Sequence, residues 1–363
     1  MKRLTLFNRF ALSIAAVSIL AAGSSLLADG GANHQVRNLH FGVSGGNIND
    51  SSNAFCCSGT LGALVTDGST EYILSNNHVL ARTEQASPGE DISQPGLIDN
   101  GCDPGTIVAD LTVAPPLASN VDAALAELRP GTMDETGFIE DIGVPGRSIA
   151  IPTVGLAVAK SGRTTGFTTG TISAVNASIS VQYQRGCGKG RKFVVPYTNQ
   201  VVITGASFSA GGDSGSLIVT NDANHNPVAL LYAGSNTTTI ANPIGEVLDK
   251  LEAALPGNGE LSFGGRRGGG PRGGRALVMP ERQGNWPSDE AIEFATFSMR
   301  QREKELLARP SVIGVGVGPA DSNSAEAAVV IFVNQTQRVR PRLPSSINGV
   351  PVKIVYTDPI IAY

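Results

Sequence analysis

The stretch 208–219, FSAGGDSGSLIV, sets a glycine pair against an Asp-Ser-Gly turn that runs directly into an apolar strand. A glycine pair by itself marks a turn. Here Gly211 and Gly212 also allow successive backbone N–H groups to point at one spot, and Ser214 stands between them and the strand. A hydroxyl is a weak nucleophile. It needs a base, a group that orients the base, and donors for the oxyanion that forms. Partners elsewhere in the chain decide whether 208–219 is a plain turn or a loop that aims a serine.

Histidine is scarce, with four in 363 residues. His34 and His40 lie in a polar N-terminal stretch and His225 in the turn NDANHNP. His78 is placed differently: it follows the apolar YIL and the polar SNN and precedes VLA, so it stands just past a strand end. Asp122 comes 44 residues later and opens the apolar run of SNVDAALAEL. A carboxylate against a core needs a donor, and an imidazole N–H can be one. Asp99, Asp103 and Asp110 lie in turn-rich or shorter-strand contexts. The amides of Gly212 and Ser214 are the candidate oxyanion donors, with Asp213 fixing their loop.

The chain order His, Asp, Ser separates this set from the subtilisin and α/β-hydrolase orders. YILSNNHVLA (72–81), NVDAALAEL (120–128) and GGDSGSLIV (211–219) resemble the three catalytic motifs of the trypsin-like serine proteases, in their bacterial secreted form. CSGTLGALVT (57–66) and KSGRTTGFTTGTI (160–172) resemble further strands of that family, and the likeness covers about residues 54–255. It implies an all-β double antiparallel β-barrel, six strands in each, with the site in the cleft between them. It assigns Ser214 as nucleophile, His78 as general base and then acid, Asp122 as orienter, and Phe208 and Gly234 as substrate-binding positions.

The implied activity is that of a serine endopeptidase acting on protein or peptide substrates through an acyl-enzyme. A catalytically idle scaffold that binds protein and an esterase on the same triad are the alternatives. Phe208 stands six residues before Ser214, where relatives that cut after Lys or Arg carry an acid. A basic residue on the acyl side of the cut bond (P1) is therefore not expected. Ser216 replaces the usual last glycine of the motif, and no activation site is visible that would free an amino terminus to pair with Asp213.

The bulk numbers fit this reading. Hydrophobic residues make up 41% and charged residues 16%, with 44 Gly and 21 Pro, which suits a turn-rich β protein. A net charge of −4 gives no reason to expect nucleic acid. Residues 1–28 have the basic start, apolar run and small-residue exit of a signal peptide. An exported protein, periplasmic or extracellular and free of the membrane after cleavage, is expected. A leader at 29–53, the protease domain at 54–255, a Gly/Arg-rich flexible linker at 256–275 and a small α+β domain at 276–363 follow.

Four cysteines in an exported chain suggest two disulfides. Neighbouring Cα atoms, about 3.8 Å apart, are too close for an ordinary bridge. One of Cys56 and Cys57 is expected to reach Cys102 and the other Cys187, with the pairing open. The cysteine spacing fits no zinc pattern, and no cofactor is expected.

Overall fold

The computed structural model describes residues 34–363 apart from Lys189, Ala206, Asn258, 266–274 and Asn323. The expected signal peptide lies outside the described residues. The first barrel contains β1 (Val43–Asn47), β2 (Gly59–Leu61), β3 (Ala63–Thr66), β4 (Glu71–Ser75), β5 (Asp91–Gln94), β6 (Thr106–Val113) and β7 (Ala124–Leu128). A helical turn, α1 (Asn77–Leu80), follows β4. The strand order is β3-β4-β7-β6-β5-β1-β2, all antiparallel. Because β2 runs into β3 through Gly62, the two form one bent strand that closes a six-stranded barrel. A Cβ at Gly62 would stand 1.9 Å from the Gly215 carbonyl oxygen, so glycine there lets the bend touch the serine loop.

After the short β8 (Ile149–Ala150), the second barrel is built from β9 (Ala157–Gly162), β10 (Gly166–Gln184), β11 (Lys192–Thr204), β12 (Leu217–Thr220), β13 (Pro227–Gly234) and β14 (Thr238–Pro243). The antiparallel order β11-β14-β13-β12-β9-β10 is closed by pairing of β10 with β11. The double barrel implied by the family resemblance is the architecture found. Helix α2 (Ile244–Ala254) buries Ile244, Val247, Leu248 and Leu251 in the core of the first barrel, so it crosses back over the pair.

Two boundaries differ from the sequence reading. The expected leader contains β1, and Phe41 and Val43 are fully buried, so the first barrel begins ahead of residue 54. The expected linker contains β15 (Ser262–Phe263), which pairs with β3 and buries Leu261 and Phe263 in the first core. The two apolar residues outweigh the glycine-rich composition around them.

The last unit is joined to the second barrel by hydrogen bonds. It comprises β16 (Leu277–Val278), α3 (Asp289–Leu307), β17 (Val312–Pro319), β18 (Ala327–Asn334), β19 (Ser346–Ile347), β20 (Val350–Thr357) and β21 (Ile361–Ala362). β16 pairs with β8, and β17 takes the edge of β10 beyond the point where β9 leaves it. The alternating glycines of VIGVGVG make this approach possible: Cβ atoms at Gly314 and Gly316 would meet Ile179 and Ala177 at 3.0 Å. Ser288 caps α3 by accepting from the Ala291 amide, and Met299 and Leu306 pack on Val315, Val317 and Ile331.

Cys56 bonds to Cys102 and Cys57 to Cys187, the latter tying the first barrel to the β10–β11 loop. Among the described residues no helix is long and apolar enough to cross a membrane.

Candidate active site

The sheet of the first barrel holds two of the three expected residues. His78 sits in α1, directly after β4, and Asp122 lies two residues before β7, the neighbour of β4. His78 Nδ1 donates to Asp122 Oδ2 at 2.6 Å, and the His78 backbone amide donates to Oδ1 at 3.1 Å. Asp122 has no exposed surface, so each of its polar atoms needs a partner. Its amide donates to Asn242 Oδ1, its carbonyl accepts from Asn76 Nδ2, and Tyr183 Oη donates to Oδ2 at 2.8 Å. That donation commits the one hydroxyl proton of Tyr183. The 2.8 Å contact with Tyr197 is therefore a bond donated by Tyr197.

The imidazole is held in a field of acceptors. Burial opposes a positive charge on His78. Against it act the Asp122 carboxylate, the Tyr363 backbone oxygen and Asp50, and together they lift the imidazole above its ordinary value. The ring then donates from both nitrogens, from Nδ1 to Asp122 and from Nε2 to the Tyr363 backbone oxygen at 2.9 Å. Asp50 shares the cleft. Burial pushes its carboxyl up to about 6, against the opposing pull of His78 and Arg82.

Ser214 stands in the turn before β12, fully buried, with Oγ donating to the Tyr232 carbonyl at 3.1 Å. The same carbonyl accepts the Tyr363 amide at 3.4 Å, and the oxygen of Tyr363 lies on His78. Ser214 Oγ and the Tyr363 amide thus share the Tyr232 carbonyl, and Tyr363 in turn meets His78; among the described residues no hydrogen bond joins Ser214 to His78. The loop carbonyls are turned away: Gly211 accepts from Thr164 Oγ1 and Gly212 from Thr60 Oγ1. Gly212 has φ +97°, and among the described residues the Gly212 and Ser214 amides have no acceptor. Two donors without an acceptor beside a serine hydroxyl are what an oxyanion formed there would require.

Asp213 fixes this loop through a partner that is not a chain terminus. It is fully buried and accepts from the amides of Ala210, Thr164 and Thr165 at 2.9, 2.8 and 3.1 Å. Lys160 Nζ, also without exposed surface, lies 3.4 Å from Asp213 Oδ2 and donates to Thr165 Oγ1 and Gly166 O. Burial lowers the Lys160 ammonium below its ordinary value, and Asp213 works against that shift.

Phe208 is buried in the second core, in the apolar cluster against which the Tyr363 ring packs. Gly234 ends β13 opposite Ile361, and a Cβ there would stand 2.2 Å from Tyr363 Oη. Gly234 therefore borders the Tyr363 side chain, and Phe208 belongs to the cluster on which that side chain packs. The sequence reading missed Tyr183, Asp50, Lys160 and the segment 361–363. Lys160 had a signal, since it opens a motif already singled out and is the basic residue of an otherwise apolar strand.

The chain matches no protein-family model, and no curated protein matches it. Solved structures do. A glutamic acid specific serine protease matches at 25% identity over 58% of this chain and 95% of that chain, with a TM-score of 0.40. A Nocardiopsis protease matches at 17% identity over 62% and 98%, TM-score 0.41. A homologue of alpha-lytic protease matches at 19% identity over 59% and 95%, TM-score 0.38. At these TM-scores the functional reading rests on strand order and site geometry.

Two outcomes follow from this geometry. Tyr183→Phe is expected to lower kcat/KM about tenfold, the scale of one hydrogen bond to a charged group, with Tyr197→Phe milder, as steady-state kinetics will measure. The second concerns pH. On the reading of His78 as general base, attack needs it neutral, so its raised pKa is expected to displace the acid limb of kcat/KM above the ordinary imidazole value of about 6.5. Asp50→Asn removes one of the charges that raise it and is expected to move the limb down, as a pH–rate profile will test.

Proposed function

We propose that the protein is an exported serine endopeptidase with Ser214, His78 and Asp122 as its triad. The observation that carries this reading is the buried Asp122–His78 pair, 2.6 Å apart, linked through Tyr363 and the Tyr232 carbonyl to Ser214, whose turn holds two amides without an acceptor among the described residues. Ser214 Oγ rotates off the Tyr232 carbonyl and attacks the carbonyl carbon, and its proton passes to His78 Nε2. The amides of Gly212 and Ser214 receive the oxyanion. Collapse breaks the C–N bond, and Nε2 returns the proton to the leaving amine. Water, deprotonated by His78, then cleaves the ester to Ser214.

Asp122 holds the imidazole tautomer throughout and stabilises the imidazolium. Phe208 and Gly234 shape the acyl-side pocket, and its apolar lining disfavours a basic P1. The two disulfides suit an oxidising compartment.

The test is digestion of a peptide library with cut sites read by mass spectrometry, beside Ser214→Ala. Cleavage of internal peptide bonds by the native chain alone is expected. Turnover of esters without any peptide cleavage would replace the peptidase by an esterase.

A further inference from the structure

The segment Ile361–Tyr363 lies in the cleft as a bound strand. Its backbone is antiparallel to the end of β13, with Ala233 opposite Ala362 and Gly234 opposite Ile361, and parallel to β10 at Gln182. The Tyr363 amide meets the Tyr232 carbonyl, its backbone oxygen meets His78 Nε2, and its hydroxyl donates to the Ser235 carbonyl at 3.0 Å. The ring packs on the cluster that holds Phe208. Peptides added to a sheet edge gain affinity from main-chain bonds and specificity from alternate side-chain pockets.

We propose that Ile361–Ala362–Tyr363 is an internal occupant of the substrate groove, and that the groove selects peptides of the same form: aliphatic, small, then tyrosine or another large aromatic at P1. This deepens the peptidase reading and rests on it for the role of the groove. Three features argue for design rather than accident. Gly234 is the residue that leaves space for the Tyr363 ring, since a Cβ would collide with its hydroxyl and Cζ at 2.2 and 2.6 Å. The groove's polar atoms at Tyr232, Ser235 and His78 are all met by Tyr363. The segment is also delivered from a fixed point. Ile360 is buried in a core shared by the second barrel and the last sheet, its carbonyl accepts from the Gln182 amide, and Asp358 accepts from Asn236 and Gln335.

The last unit thereby acquires a task, holding the segment at the groove. A short tether gives an effective concentration of order millimolar, so even a weak strand competes with substrate. While it is bound, His78 Nε2 is engaged by Tyr363 and cannot receive the serine proton.

The experiment uses the full chain and a variant lacking residues 361–363, which leaves Ile360 in its core. In the Ser214→Ala background, a fluorescein-labelled peptide Asp-Pro-Ile-Ile-Ala-Tyr is titrated and followed by anisotropy. It is expected to bind the shortened chain at least ~tenfold more tightly than the full chain, and a peptide ending in Lys is expected to bind at least ~tenfold more weakly than the one ending in Tyr. Tyr363→Gly, which keeps the strand and removes the ring, is expected to behave between the two and covers the case of a shortened chain that does not fold.

With Ser214 present, the shortened chain is expected to react with a fluorophosphonate at least ~tenfold faster than the full chain. Equal peptide affinity for full, Tyr363→Gly and shortened chains, or no preference for Tyr over Lys, would overturn the proposal. Binding in the Ser214→Ala background needs no chemistry. Intact peptide binding with no fluorophosphonate reaction in any chain would overturn the peptidase reading and leave the groove assignment standing.

Discussion

Ser214→Ala is expected to lose peptide turnover by a factor on the order of 10⁵, with His78→Ala nearly as severe and the double variant no worse than either. The non-additivity is the informative part. In the proposed mechanism Ser214 and His78 form one proton-transfer unit, so removing either removes the whole step. Two groups that merely lined a binding groove would give losses that multiply.

The Ser214 hydroxyl makes one hydrogen bond among the described residues, to the Tyr232 carbonyl, so Ser214→Ala is expected to change the unfolding free energy by only about 1 kcal/mol. Urea denaturation measured beside steady-state kinetics separates the two effects. A loss of activity that tracks a loss of folded protein would point away from a chemical role for Ser214.

Lys160→Met carries the largest expected effect on stability. The pair Lys160–Asp213 has no exposed surface on either side, so removing the cation leaves a buried carboxylate without its counter-charge. Breaking such a pair costs about 3–5 kcal/mol. Asp213 is also the acceptor for three amides and the Thr165 hydroxyl, and it stands between Gly212 and Ser214, so that network anchors the turn that carries both amides. Disturbing an oxyanion donor costs on the order of 10² to 10³ in kcat.

The expected result is a protein less stable in urea and, under conditions where it stays folded, slower by more than tenfold. Adding Asp213→Asn to Lys160→Met keeps one neutral acceptor oxygen for the loop and removes the unpaired charge, so part of the stability is expected to return. No stability change in Lys160→Met would show that the pair does not hold the loop.

The three candidate residues could be singled out because each sits in a short local context. A strand end precedes His78, an apolar run follows Asp122, and a glycine turn carries Ser214. A β sandwich or barrel was legible in strand runs punctuated by turns, while two six-stranded barrels followed from the family resemblance. The contacts that escaped the sequence are those between distant sheet edges. β10 reads as one long strand, but nothing local says that its edge serves β9, then β17, then β21. Tyr363 meets His78 across 285 residues, and its amino acid type carries no mark of that pairing. Tyr183 looks like any core aromatic until Asp122 is placed beside its hydroxyl. The supposed linker misled because its glycine and arginine content hid Leu261 and Phe263, which fill space in the first barrel.

The central claim is that Ser214 is a nucleophile activated by His78. Its most direct test is to treat the full chain, the chain lacking residues 361–363 and their Ser214→Ala and His78→Ala counterparts with a fluorophosphonate, and to locate the adduct by peptide mass. The expected result is a single adduct on Ser214, abolished by either substitution. Absence of an adduct from both the full and the shortened chain, or an adduct that persists after Ser214→Ala, would contradict it.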